Sequence, residues 1–153
     1  MNKRMVVSAS LAVALTVASC GGGGNAGPTT AAFSDQLATI CRTIGRGIGN
    51  LDPPASLDDV RSNASDASAL YEDGLSELKK LKVPSSDKEF SADVKDLISS
   101  FEDQLDTLDA IAKAAKENDQ EAVDTRMSKL TDQASTSNDL ADNLDISRCQ
   151  LDP

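Results

Sequence analysis

The sequence predicts an all-α domain, and three observations carry that expectation. Four segments repeat apolar residues at the three-and-four spacing of an amphipathic helix. The breaks between them hold prolines or helix-start signals. No run alternates β-branched and polar residues as a half-buried strand would. Helices joined by short connections alternate direction, so the expected architecture is an up-down four-helix bundle.

In the first segment Phe33, Leu37, Ile40, Ile44, Ile48 and Leu51 share a stripe. It stops at Asn50-Leu51-Asp52-Pro53-Pro54, because paired prolines cannot continue a helix. The second opens at Ser56-Leu57-Asp58-Asp59, an N-cap followed three residues on by an acid. Its stripe runs Leu57, Val60, Ala64, Ala67, Tyr71, Leu75, Leu78 and Leu81, and Pro84 ends it. The third opens with the capping box Ser86-Asp87-Lys88-Glu89 and carries Phe90, Val94, Leu97, Phe101, Leu105, Leu108, Ala112 and Ala115. It is the longest and most regular stripe, so it should be the central core element. Asn118-Asp119-Gln120-Glu121 resembles a second capping box and divides what would otherwise read as one very long helix. The fourth stripe is Val123, Met127, Leu130, Ala134, Leu140, Ala141 and Leu144, weakened by the poor helix formers Ser135 to Asp139.

Ahead of these lies a segment of a different kind. Residues 1–19 carry a charged start at Lys3 and Arg4, an uncharged run from Met5 to Ala18, and small residues before Cys20, which reads as a secretion signal. Fifteen helical residues reach only ~22 Å, short of the ~30 Å hydrocarbon core, so a retained membrane span is not expected. Val17-Ala18-Ser19-Cys20 resembles the lipobox of bacterial lipoproteins. That resemblance implies diacylglyceryl transfer to the Cys20 sulfur, cleavage before it, and acylation of the new amino group. Two or three acyl chains hold a protein on a bilayer where one does not. The alternative is an ordinary signal with a cysteine beside its cleavage site. Residues 20–30 then form the lipidated cysteine and a Gly-rich tether, about 17 Å in root-mean-square length. Thr29 and Thr30 are possible glycan acceptors, and residues 31–153 make the helical domain.

With Cys20 lipidated, Cys41 and Cys149 remain, and outside the cytoplasm an even pair reads as a disulfide. It would join the first helix to the C-terminal tail and stabilise by roughly 4–5 kcal/mol in the chain-entropy model. A redox-active pair would need Cys-x-x-Cys spacing, which is missing. Four helices return the chain to the end where it began, whereas three would leave Cys149 far from Cys41. The same parity sets Lys79, Lys80 and Lys82 at the tether end, as a basic patch toward anionic lipid or wall polymer. The competing reading is that cations at a helix C-terminus complement its dipole.

Composition narrows the chemistry. Loss of Lys3 and Arg4 takes the formal charge from −10 to −12, which argues against nucleic-acid binding and leaves attachment to the acyl chains. The chain has no histidine and no tryptophan. Histidine-based catalysis, His-ligated zinc or haem, and the Glu-x-x-His carboxylate metal site are therefore closed. No acid run has calcium-loop spacing. Asp58, Asp59 and Glu121 read as helix-start acids, and Glu102, Asp106 and Asp109 as a solvated face. Gly45-Arg46-Gly47-Ile48-Gly49 lacks the strand that a phosphate loop requires. Its glycines are expected to fray the helix or admit a close neighbour, with Arg46 meeting an acid. Asn63-Ala64-Ser65 fits a glycosylation sequon by accident.

A cysteine in an opening helix, a Leu51-Asp52-Pro53-Pro54 turn, amphipathic helices and a closing cysteine resemble small helical lipoproteins of high-GC Gram-positive bacteria. The likeness spans about residues 30–151, is architectural, and implies no activity. The expectation is a lipoprotein held on the extracytoplasmic face of the cell membrane through Cys20. It would act as a non-enzymatic interaction module for another envelope component, without a metal or cofactor. The alternative is a carrier of an apolar ligand, held where small residues such as Ala64, Ala67, Ala112 and Ala134 leave space between helices.

Overall fold

The computed structural model describes residues 29–85 and 87–146. The expected signal peptide, Cys20 with most of its tether, Ser86 and Cys149 lie outside the described residues. The chain forms α1 (Thr30–Ile48), α2 (Leu57–Leu78), α3 (Lys88–Lys116) and α4 (Gln120–Asn143). No strand occurs among the described residues.

Each helix begins where a short polar side chain satisfies a backbone N–H that the helix itself leaves unpaired. Thr29, Ser56, Asp87 and Asp119 accept from the amides of Ala32, Asp59, Phe90 and Ala122. At α2 the cap is reciprocal. The Asp59 carboxylate accepts from Ser56 Oγ at 2.8 Å and from the Ala55 amide at 3.1 Å, and these bonds hold its pKa below the usual carboxylate value. Three boundaries differ from expectation by a residue or two. Thr29 and Thr30, assigned to the tether, cap and open α1. The α3 cap is Asp87, one position past the expected Ser86. The α4 cap is Asp119, because Asn118 is taken up by the preceding turn.

That turn joins α3 to α4 in three residues. Asn118 is left-handed at φ 58°, its N–H donates to the Ala115 carbonyl, and the Asp119 N–H donates to the Ala114 carbonyl. This is a Schellman motif with asparagine at the position glycine most often takes. A second one closes α4, with Asp145 at φ 57° and the Ile146 N–H donating to Ala141. α4 runs unbroken through Ser135–Asp139, so packing overrides the poor propensity of that stretch.

Numbering rises along one helix as it falls along its neighbour, so consecutive helices are antiparallel. On α2 and α3, Ser68 meets Asp109 and Tyr71 meets Gln104. On α3 and α4, Ser100 meets Ser137 and the Asp103 carbonyl meets Gln133. On α1 and α2, Gly47 abuts Leu70, and Gly74 abuts Ile44. Phe33 and Phe90 make an edge-to-face pair with centroids 5.7 Å apart, setting the starts of α1 and α3 at one end. At the other end Leu57 and Val60 pack with Ala114, Ala115 and Val123. The expected up-down order of four helices is present.

The core follows the expected stripes, with some drift. Phe33, Leu37, Ile44, Leu78, Val94, Leu97, Phe101 and Ile111 are essentially inaccessible. Met127, placed on the fourth stripe, is instead 46% exposed. The buried line on α4 is Val123, Ala134, Ser137 and Ala141; Met127 lies seven residues before Ala134 on the same side, and nothing in the structure explains its exposure.

Candidate functional site

A polar layer crosses the middle of the bundle. Tyr71 Oη on α2 donates to Gln104 Oε1 on α3 at 2.6 Å. Gln104 Nε2 donates to Ser137 Oγ on α4 at 2.6 Å and to the Ser100 carbonyl at 3.3 Å. Ser100 Oγ and Ser137 Oγ are 2.6 Å apart. Gln104 and Ser137 are 1% and 0% exposed, so these bonds form without competing water. Burial pushes the Tyr71 phenol well above its ordinary pKa and keeps it neutral. The Phe101 ring packs on Tyr71 edge-to-face at 5.7 Å. The layer holds no charged group and no activated nucleophile. Its chemistry is that of a register lock, since sliding any of the three helices by a turn would strand buried polar atoms.

Tyr71 and Phe101 were placed on their apolar stripes, but Ser100, Gln104 and Ser137 were not picked out as core partners, although a signal existed. Gln104 lies three residues after Phe101 and four before Leu108, on the core line itself. Ser137 stands in the same relation to Ala134 and Ala141. A polar residue at an interior position calls for a partner across the core.

The expected site residues separate into three groups. Cys20 and Cys149 lie outside the described residues. Cys41 is buried, in the same apolar cluster as Ala141, Leu144 and Ile146 at the close of α4. The three lysines follow the last helical residue of α2. Lys79 caps that helix and pairs with Glu102 on α3 at 2.6 Å, both side chains about half exposed. Lys80 shares a groove between α1 and α2 with Asp35 and Glu77. Lys82 is exposed. Two of the three lysines thus keep company with carboxylates.

The remaining motifs have structural roles. A Cβ on Gly47 would overlap the Leu70 side chain, and one on Gly74 would overlap Ile44. These glycines let α1 and α2 approach closely, while Gly49 caps α1. Arg46 forms no ion pair with another described residue, so the acidic neighbour expected for it is not found there. The amide of Asn63 donates to the Asp52 carbonyl at 2.7 Å and ties the proline turn to α2. Asp109 accepts from Ser68 Oγ, and Asp106 lines an open groove with Asp119, Glu121, Arg126 and Lys129. No helix among the described residues is long and apolar enough to cross a membrane.

Comparison with protein-family models, with curated protein sequences and with solved structures finds no match for this chain.

Proposed function

We propose that the protein is a lipoprotein anchored through Cys20 on the extracytoplasmic face of the cell membrane. There its helical domain serves as a non-enzymatic module that contacts another envelope component. The observation carrying this reading is the register of charged start, apolar run, small residues and cysteine ending at Cys20. The absence of histidine from the sequence and the uncharged, fully bonded polar layer favour an interaction role over catalysis.

The domain is closed by a Cys41–Cys149 disulfide in this reading. Two observations support the pairing. Cys41 is buried in the main core, and Ile146, three residues before Cys149, is buried in that core too. α4 also ends at the same end of the bundle as the start of α1, as a clasp onto α1 requires.

Crosslinking in intact envelopes tests the interaction. The parent protein should capture a reproducible partner, and Cys20→Ala should lose both the partner and the membrane fraction. Capture unaffected by Cys20→Ala, or no partner in repeated trials, contradicts the proposal. A carrier role is the second reading, favoured only by the small buried residues Ala64, Ala67 and Ala134. Native mass spectrometry that finds no co-purifying lipid would remove it.

A further inference from the structure

We infer that the Glu117–Asp119 turn is a hinge through which α4 can be exchanged between two copies of this chain. In the exchanged dimer, α3 and α4 of each copy fuse into one continuous helix.

Three observations carry the inference. First, only three residues join Lys116 to Gln120, and the middle one, Asn118, is left-handed at φ 58°. A helix running straight through would return Asn118 to right-handed geometry and relieve the steric cost that a side chain bears there. The turn's Schellman and cap bonds would become ordinary helical bonds. From Leu108 to Met127 the sequence contains neither glycine nor proline, and Ala114, Ala115, Lys116, Glu117, Gln120, Glu121 and Ala122 are good helix formers.

Second, α4 itself buries few large side chains. Within the helix the buried residues are Val123, Ala134, Ser137 and Ala141, with Leu130 and Leu140 partly buried and Leu144 and Ile146 following it into the core. The α3 groups beneath it include the polar Ser100 and Gln104. Gln104 keeps Tyr71 and the Ser100 carbonyl when α4 leaves, and water can replace Ser137.

Third, the exchanged contacts are geometrically the same. α4 is antiparallel to α3 within one chain. Two fused helices related by a two-fold axis at the hinge run antiparallel as well. α4 of one copy then meets the partner's α3 in the original register, including the Ser137–Gln104 bond. Besides the hinge, the clasp proposed above changes, joining Cys149 of one copy to Cys41 of the other. A short loop under strain favours this kind of exchange.

The test uses full chain in mild detergent, mixed from light- and heavy-nitrogen copies at high concentration under a thiol reductant. The reductant opens the Cys41–Cys149 clasp that otherwise ties α4 to α1 of its own copy. A zero-length reagent then joins amines to carboxylates. Lys129 on α4 and Asp106 on α3 line one groove, so their crosslink reports whose α4 packs on which α3. Lys79 and Glu102 join α2 to α3 and stay within one copy in either form. The expected result is mixed-isotope Lys129–Asp106 crosslinks beside unmixed Lys79–Glu102 crosslinks. Asn118→Ala with Asp119→Ala removes the turn's αL residue and cap, and should tighten exchange by at least about tenfold. Asn118→Gly, which accepts αL, should weaken it. Unmixed Lys129–Asp106 crosslinks in the double variant with helicity retained would overturn the inference. Mixing at both pairs, or Asn118→Gly exchanging as readily as the double variant, would do the same.

Discussion

Gln104 is the residue on which the interior most depends. Its amide is the single link between the Tyr71 phenol and the Ser137 hydroxyl. Gln104→Ala removes that link, opens a small void and leaves Tyr71 without its acceptor. The expected loss is about 2–4 kcal/mol, read from urea unfolding. Gln104→Leu would fill the void and still strand Tyr71, so combining it with Tyr71→Phe should recover part of the loss. Tyr71 also provides its own reporter, since the chain has one tyrosine and no tryptophan. Its folded pKa is raised by burial, so its contribution is complete below the unfolded value near 10 and declines as pH rises beyond that. Near-ultraviolet absorbance should show no phenolate until the helical signal collapses. Phenolate appearing in folded protein near the ordinary tyrosine pKa would contradict the burial. Asp59 works in the opposite sense. Its pKa is lowered, so its contribution holds above the ordinary carboxylate value and fades as pH falls below it.

At the scale of elements, the starts of α2, α3 and α4 were readable because a polar residue and a following acid mark each. By contrast α1, capped by Thr29, has no acid in its first turn, and its cap and first residue were assigned to the tether. Ser56→Ala should cost about 1 kcal/mol in thermal unfolding, as should Asp87→Ala. The α3 and α4 caps were read one residue early because adjacent polar residues compete for the role. Only the backbone decides between them, and at the second site the Schellman turn claims Asn118 first. The glycines near the end of α1 were legible as a choice between fraying and close packing, a choice that depends on α2. Gly74 and Gly47 now make a discriminating pair. A Cβ at Gly74 meets the buried Ile44, so Gly74→Ala should destabilise by about 1–3 kcal/mol. A Cβ at Gly47 meets the Cγ and both methyls of Leu70, which is only half-buried and can swing aside. Gly47→Ala should therefore be milder, with the better helix propensity of alanine offsetting the contact. Equal losses in thermal melts would show that the α1–α2 approach is not governed by Ile44.

For the whole molecule, helix number, order and direction followed from apolar periodicity and the placement of breakers, because those signals are local. The polar layer was hidden, since its members read singly as surface glutamine and serine until three helices bring them together. The fourth helix looked weak for the same reason: Ser137 is a poor helix former whose hydroxyl finds partners only across the core. Both the anchor and the clasp fall on residues 20 and 149, outside the described residues, and rest on sequence register and topology. The intact mass of protein extracted from membranes, taken after alkylation without a reductant, addresses both at once. The account predicts a chain beginning at Cys20, heavier by a diacylglyceryl group and further acylation, with no alkylation of Cys41 or Cys149. An unlipidated chain, a different start, or two alkylated cysteines would contradict it.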